Sequence, residues 1–510
     1  MNLPERIPGF HGELRGTEAD RLPFSEGSGI LRALPAGVAV PRGADDVSAL
    51  VRWAAETGTP LVPRGAGTGM PGGNVGTGVA VDLATHFRQP GPMEPALRRA
   101  RVEPGATLAE LNAAAAAHGL QFPVDPSSGE RCTFGGMIAN NSGGSHSVRY
   151  GSVRRWVHSL DAVLADGTRV TTTRGETTRA PALSALLAPL DDALAPERDA
   201  IRAAWPRVRK NSSGYALREY LESGDAVDLL VGSEGTLALV TGATVRLAPV
   251  PAARGLAVLE FDTLEAAGAA VERVLALEPS TCEILDRTFI DLVRAGGEDP
   301  GYPLREGLEA LLLVEVEGDS ETEVAARLAE LREQVAGIAA HVSLAADEAM
   351  EHRFWHVRHA ASPLIAKLAA GRISMQFIED GVVPVPRLAD YIRLLRSVLS
   401  RHGLPAVIFG HAGDGNLHVN PLVDVSRPGW RETLETVIAE VAAGVAALGG
   451  TMAGEHGDGR LRAPLLETIW GAEMVARFRA VKEAFDPGGI LNPGVILPLP
   501  GQRPLDAIKY

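Results

Sequence analysis

A chain of 510 residues is too long for one ordinary hydrophobic core, and its net charge of −14 argues against a nucleic-acid partner. The hydrophobic share of 45% is that of a soluble globular protein, so two or more packed domains are expected. Two distant cysteines, Cys132 and Cys282, support neither a disulfide framework nor an iron–sulfur cluster, which usually takes four thiolates.

No run reaches the ~18 apolar residues of a membrane span. The first residues lack a basic segment followed by an apolar one, so no signal peptide is expected. A cytoplasmic location follows, with peripheral attachment at an inner membrane as a variant. An anionic substrate is compatible with the acidic total only where arginines gather locally.

Residues 1–34 show no periodic element and read as an N-terminal arm. Val38–Val40 is a short strand. Asp45 or Asp46 can cap the next helix, in which Val47, Leu50, Val51 and Ala54 share a face. Gly58 ends that helix, and Leu61-Val62 opens a second strand. The stretch Pro63–Asn74, PRGAGTGMPGGN, follows with five glycines that leave backbone N–H groups able to surround a phosphate. Gly67, Gly69 and Gly72 match a dinucleotide fingerprint in form only. That loop must open a helix, whereas Val79–Leu83 reads as a strand.

Ala106–His118 is an alanine-rich helix capped by Gly119. A second glycine-rich region, Phe134–Tyr150, pairs Gly135-Gly136 and Gly143-Gly144 around Asn140, Asn141 and Ser142. Absent side chains there let a flat or extended ligand approach the backbone. Leu160–Ala165 with the Asp166-Gly167 turn signals a hairpin. Lys210–Tyr215 reads as a polar turn. Asp228–Thr241 reads as a buried strand, a glycine turn and a second strand. Pro249 and Pro251 mark a boundary, so 35–250 is one domain.

Residues 251–450 alternate strand-like runs (Leu256–Phe261, Leu311–Val316) with amphipathic helices (Leu264–Leu277, Glu321–Val335), an α+β pattern of helices over a sheet. The short runs Met375–Ile378 and Val382–Val385 follow, and Leu388–Leu399 and Thr433–Leu448 read as helices. Between the helices lies Val407–Pro421, VIFGHAGDGNLHVNP, where Asp414-Gly415 inside alternating apolar residues signals a hairpin that returns His418 towards His411. The segment 451–510 carries GEHGDGR at Gly454–Arg460, then a helix ending at Asp486-Pro487-Gly488-Gly489, then Asn492-Pro493-Gly494.

Two hairpin histidines and one distant carboxylate, His411, His418 and Glu455, compose a three-ligand metal set with an open position, suited to zinc and equally to iron or manganese. Neighbours on an extended backbone point to opposite sides, so His456 would face away from Glu455 as a candidate base. The alternative is two glycine-rich loops whose histidines merely bond backbone.

Six blocks in this order, PRGAGTG, GGMIANNSGG, VGSEGTLALVT, GHAGDGNLHVN, GEHGDGR and FDPGGILNPG, resemble the FAD-linked oxidase family with the p-cresol-methylhydroxylase type of FAD domain. Within it they are similar to the D-2-hydroxyacid dehydrogenases, namely the glycolate oxidase flavoprotein subunit, D-lactate dehydrogenases and D-2-hydroxyglutarate dehydrogenase. The resemblance implies an α+β protein: a two-subdomain FAD domain capped by a substrate domain with an antiparallel sheet, and a C-terminal segment returning to the FAD domain. Carried over, Arg64, Gly65, Ala66, Gly67, Thr68, Gly69, Gly73 and Asn74 would cradle the FAD pyrophosphate. Pro126, Ser127, Gly135, Gly136, Asn140, Ser142, Gly143 and Gly144 would line the cofactor. Gly232, Glu234 and Gly235 would add contacts, and Asn492 would reach back to it. Covalently flavinylated relatives carry a histidine in the first glycine loop. This loop has none, which implies non-covalent FAD.

The resemblance also assigns His411, His418 and Glu455 to a divalent metal and His456 to the base. Asn420 would stand near the substrate, Arg358 would bind its carboxylate, and Ser362 would be a small hydroxyl residue beside it. One departure is Ile378, which stands where D-2-hydroxyglutarate dehydrogenases have a lysine, so a second substrate carboxylate need not be recognised. The implied activity is oxidation of a small D-2-hydroxy acid. The implied partner is a separate electron acceptor: an iron–sulfur subunit, an electron-transfer flavoprotein or a quinone. A homodimer is left open. The rivals are a metal-dependent hydrolase, which leaves the glycine blocks unexplained, a metal-free flavin oxidase of a larger alcohol or sugar, and a non-enzymatic assembly subunit.

Overall fold

The computed structural model describes residues 3–176, 179–295, 303, 305–345, 348–359 and 371–510, without the side chains at 348, 356, 357 and 359. Three sheets organise it. The first orders β1 (Glu13–Arg15), β2 (Gly37–Val40), β4 (Val79–Asp82) and β3 (Leu61–Arg64) as β1-β2-β4-β3. β2, β4 and β3 run parallel, and the glycine loop after β3 therefore joins two adjacent parallel strands without a helix. The helix Ala44–Thr57 covers this sheet with Val47, Leu50, Val51 and Ala54 fully buried, the face read from periodicity. Its cap differs from expectation. Gly43 sits at the cap, and the Asp46 carboxylate reaches back to accept the N–H groups of Arg42 and His11, both at 2.8 Å. The N-terminal arm also differs, since β1 pairs antiparallel with β2.

The second sheet orders β5 (Pro90–Glu94), β6 (Arg99–Val102), β10 (Leu239–Arg246), β8 (Val157–Val163) and β9 (Arg169–Thr173) as β5-β6-β10-β8-β9. β7 (Leu120–Gln121) and β11 (Ala248–Pro249) form a small pair beside it. Its core takes in Trp470, Met474 and Phe478 of the long helix Leu466–Phe485, so the C-terminal segment packs on this body. Leu61 pairs with Leu491 as an isolated parallel bridge, which ties the chain's end to the first sheet.

Two stretches of this body depart from the sequence reading. Phe134–Asn140 is a helix despite Gly135-Gly136, ended by Asn141 at φ 52°. Two interior glycines disfavour helix in isolation, and burial of Phe134, Met137 and Ile138 overrides that preference. Ala226–Leu230 is a short helix rather than a strand. So short a stretch cannot distinguish the two by periodicity. Here the helix delivers the chain into the left-handed turn of Gly232 (φ 84°), Glu234 (φ 51°) and Gly235 (φ 69°).

The third sheet is antiparallel and eight-stranded: β12 (Ala253–Phe261), β13 (Thr281–Asp286), β14 (Ala310–Gly318), β15 (His341–Leu344), β16 (Ile373–Ser374), β17 (Gly381–Val382), β18 (Ala406–His411) and β19 (Asn416–Val423). Its path is β15-β12-β14-β13-β18-β19-β16, with β17 also on β19. Helices Leu264–Leu275, Leu388–Arg401 and Trp430–Ala447 bury one face, whereas a thinner cluster around Phe289 and Phe354 covers part of the other. The runs Met375–Ile378 and Val382–Val385 form no strands of their own: the first follows the short strand β16, and the second shares only Val382 with the short strand β17. Among the described residues no helix is long and apolar enough to cross a membrane.

Candidate active site

A cavity of about 1200 Å³ lies where the glycine loops of the first two sheets meet the β18–β19 hairpin and the loop Gly454–Arg460. The hairpin forms as the Asp414-Gly415 signal predicts. Phe409 pairs with His418 and His411 with Asn416, and Gly415 takes φ 71° to close the turn.

This register brings His411 Nε2 to 3.1 Å from His418 Nε2. Glu455 Oε1 lies 3.0 Å from the first and 3.3 Å from the second. Three donor atoms, from β18, β19 and the loop Gly454–Arg460, thus converge on one point. Two imidazole nitrogens and a carboxylate oxygen are the donor set that a divalent cation takes. His411 Nδ1 is bonded to Glu283 Oε1 at 2.5 Å, which leaves Nε2 as the outward donor. Burial opposes charge on His411, but Glu283 and Glu455 outweigh it and hold the ring up to about 9. Burial likewise opposes charge on Glu283, and His411 with Arg358 bring it down to about 2. Glu283 and Glu455 thus favour positive charge at these nitrogens, and Lys210 opposes it.

His456 turns its Nδ1 to Glu379 Oε2 at 2.8 Å, and its ring stacks on His418 with centroids 5.4 Å apart. Burial works against its charge, but Glu379 and Asp380 push it up to about 9. The expectation that Glu455 and His456 face opposite sides is corrected. His456 Nε2 lies 3.8 Å from Glu455 Oε1, in the same pocket. Gly454 and Gly457 (φ 83°) bracket the pair, and the backbone there is a turn rather than a strand. Asp380, itself at φ 71°, accepts the N–H groups of Glu455 (3.1 Å) and His456 (2.8 Å) and fixes that turn.

Arg358 donates Nε to Glu283 Oε2 at 2.9 Å and lies over the Phe409 ring, 4.5 Å from its centroid. Asn420 accepts from Gln376 at 2.9 Å. Arg358, Asn420, Gln376 and Ser374 all line the cavity. Ser362 lies outside the described residues.

On the opposite wall stand Arg64, Gly65, Ala66, Gly67, Thr68, Gly69, Gly73, Asn74, Pro126, Ser127, Gly135, Gly136, Asn140, Ser142, Gly143, Gly144, Glu234 and Gly235. Three side chains do something other than face a ligand. The Arg64 guanidinium donates to the carbonyls of Pro23 (3.2 Å), Phe24 (3.4 Å) and Asn74 (3.2 Å), so it shapes the loop and pins the arm. Glu234 accepts the N–H groups of Asp458 (2.7 Å) and Gly459 (3.0 Å), and burial and Asp458 push it up to about 8. Asn492 does not line the cavity. Its Nδ2 donates to Gly73 O and Glu234 O, both at 2.8 Å, and staples two loops from behind. Gly232 is also outside the wall, its N–H bonded to Ile138 O at 2.9 Å beneath the helix Phe134–Asn140.

The wall fits an extended cofactor. A Cβ on Gly65 would strike Thr133 Oγ1, and one on Gly143 would lie 2.5 Å from Glu455 Oε2. Thr133 Oγ1 and Asn74 Oδ1 are buried without a hydrogen-bond partner among the described residues, as polar groups awaiting a ligand are.

Four residues that the sequence reading did not assign complete the site. Glu283 and the Glu379-Asp380 pair hold the histidines. Lys210 is fully buried with Nζ 2.5 Å from Glu455 Oε2 and 3.3 Å from Asn416 Oδ1. Lys210 is one of only four lysines in the chain, and that rarity beside the turn NSSG was the available signal.

Residues 35–173 match a family model described as FAD binding domain, and residues 250–496 match FAD linked oxidases, C-terminal domain. The chain is 32% identical over 484 residues to the glycolate oxidase subunit GlcD of Bacillus subtilis (strain 168), covering 94% of this chain and 92% of that protein. It is 33% identical over 462 residues to the D-lactate dehydrogenase of Archaeoglobus fulgidus, covering 90% and 91%. The solved 4-ethylphenol oxidase from Gulosibacter chungangensis superposes with a TM-score of 0.67 at 16% identity, over 95% of this chain and 94% of that one, which speaks to the fold alone.

Proposed function

This chain belongs to the FAD-linked oxidase family, and from that premise we propose that it oxidises a D-2-hydroxy acid of the D-lactate, glycolate or D-2-hydroxyglutarate class to the 2-oxo acid and passes the electrons to a separate acceptor. The observation that carries the reading is one cavity with the glycine loops on one wall and His411, His418, Glu455, His456 and Arg358 on the other.

Arg358 offers a planar cation for the substrate carboxylate, and stacking on Phe409 with the bond to Glu283 holds it in place. With a cation on His411, His418 and Glu455 opposing the charge that Glu379 and Asp380 favour on the ring, His456 would be neutral and accept the hydroxyl proton at Nε2, its Nδ1–H held by Glu379. Glu379 also stabilises the imidazolium that results. Asn420, held by Gln376, supplies an amide to the same space. Lys210 and Glu283 fix Glu455 and His411 in their facing positions. Bound FAD would supply the hydride acceptor for the α-hydrogen, and a bound divalent cation (zinc, with manganese or iron as alternatives) would lower the pKa of the substrate hydroxyl. His411, His418 and Glu455 would hold the cation, and the loops around Gly65–Asn74 and Gly135–Gly144 would hold the flavin non-covalently.

Anaerobic mixing with a panel of D- and L-2-hydroxy acids tests this. Flavin absorbance should bleach with achiral glycolate, or with at least one D-acid and not with its L-partner. A flavin that no hydroxy acid bleaches overturns the reading.

A further inference from the structure

A second concavity, about 830 Å³, opens on the far side of the short helix Ser147–Tyr150. Six arginines converge on it, Arg98, Arg99, Arg149, Arg155, Arg209 and Arg246, and Glu278 is the one carboxylate in its wall. In a chain of net charge −14 this is a concentrated basic face. Arg149 pairs with Glu317 at 3.2 Å and Arg209 with Asp414 at 3.8 Å. The other four arginines form no ion pair among the described residues, although Glu94 is register-paired with Arg99 across β5 and β6.

Arg246 on β10 stands directly opposite Arg99 on β6. Like charges at facing positions destabilise a sheet. The same two cations, after burial, help hold His158 below its ordinary value. Trp156 and Tyr150 line the groove with ring centroids 6.1 Å apart, and Leu97 at its edge is 56% exposed. Arginine with tyrosine and tryptophan is the composition enriched in protein-binding patches.

The groove backs on the active site. Ser147 donates to Asp414 in the turn of the β18–β19 hairpin, and a Cβ on Gly413 would lie 2.7 Å from Val148. Gly143 and Gly144, just before this helix, belong to the cavity wall, and Arg209 precedes the Lys210 that holds Glu455.

We propose that this arginine groove docks an acidic segment of a partner protein, and, resting on the proposed function, that this partner takes up the electrons. The chemistry balances with ferric haem as acceptor: FADH₂ returns to FAD as two ferric haems each gain one electron and two protons leave to water.

The test uses the FAD-loaded full chain and two probes. Binding of a fluorescein-labelled oligoglutamate peptide, read by anisotropy without turnover, should be tight at low salt and fall about tenfold or more in Arg99→Glu/Arg246→Glu. Reoxidation of the substrate-reduced enzyme should be faster with succinylated, acidic cytochrome c than with the native basic form, and the double variant should reverse that order while turnover with a neutral small quinone is unchanged. Arg99→Gln/Arg246→Gln should give an intermediate loss, and it serves where charge reversal prevents folding. Equal peptide binding by wild type and both variants overturns the docking site. Arginine-dependent binding of inorganic tripolyphosphate with no peptide binding also overturns it, in favour of a small-anion site. If peptide binding follows the arginines while no hydroxy acid bleaches the flavin, the docking site stands and the proposed reaction falls.

Discussion

Glu283→Gln isolates a residue that touches both His411, the proposed metal ligand, and Arg358, the proposed carboxylate anchor. Glu283 is fully buried, 2.5 Å from His411 Nδ1 and 2.9 Å from Arg358 Nε. A glutamine keeps the shape but has one acceptor oxygen, and its NH₂ would face a second donor. Its ordinary value of 4.5 falls to about 2 in the fold, which corresponds to roughly 3 kcal/mol of stability at neutral pH. The sign follows from the depressed value: this contribution is present above pH 4.5 and is lost as pH falls towards 2. The variant should therefore unfold several degrees lower at pH 7 and show less difference near pH 3. Loss of the bond that orients a ligating histidine typically weakens metal affinity by ~10–100-fold. Calorimetric titration of the metal-stripped protein measures that loss, and anaerobic flavin reduction should show a raised substrate requirement as Arg358 loses its anchor. Unchanged metal affinity together with unchanged substrate dependence would refute the reasoning.

Three further outcomes are expected. His456→Ala should keep metal and flavin yet reduce flavin ~10²–10⁴-fold more slowly in anaerobic stopped flow, and a near-wild-type rate removes it from the base role. Acid precipitation should release all yellow colour to the supernatant, since the loop Pro63–Asn74 contains no histidine, and colour that remains with the protein contradicts non-covalent binding. Glu234 is raised from 4.5 to about 8, so its stabilising protonated form is fully present below 4.5 and lost as pH rises through about 8. Glu234→Gln should flatten the pH dependence of Tm in that window, with a ceiling of roughly 5 kcal/mol, and an unaltered profile rejects the role.

The parts of the fold that sequence reasoning captured share a strong local period or a turn with one solution. The helix face Val47–Ala54 and the His411–His418 hairpin are of this kind, as is the glycine loop between strands. The parts that it missed depend on packing. Phe134–Asn140 is helical because three apolar side chains are buried, against the preference of two glycines. At the site, the candidate residues come from glycine-marked blocks, and those blocks were readable. Glu283 and Glu379 carry no such mark, because an acid in an apolar strand or turn gains meaning only when a distant histidine folds onto it. Glu455 and His456 were read as a strand pair pointing apart, whereas Gly457 at φ 83° makes a turn that aims both inward.

The central claim is that the flavin wall and the histidine wall serve one substrate. The direct measurement is the anaerobic rate of flavin bleaching by the best D-2-hydroxy acid in enzyme stripped of metal by chelation, then restored with zinc or manganese at constant FAD occupancy. The account predicts that bleaching is lost on stripping and recovers on restoration in wild type, and does not recover in His411→Ala. Full-rate bleaching by the stripped enzyme would contradict it.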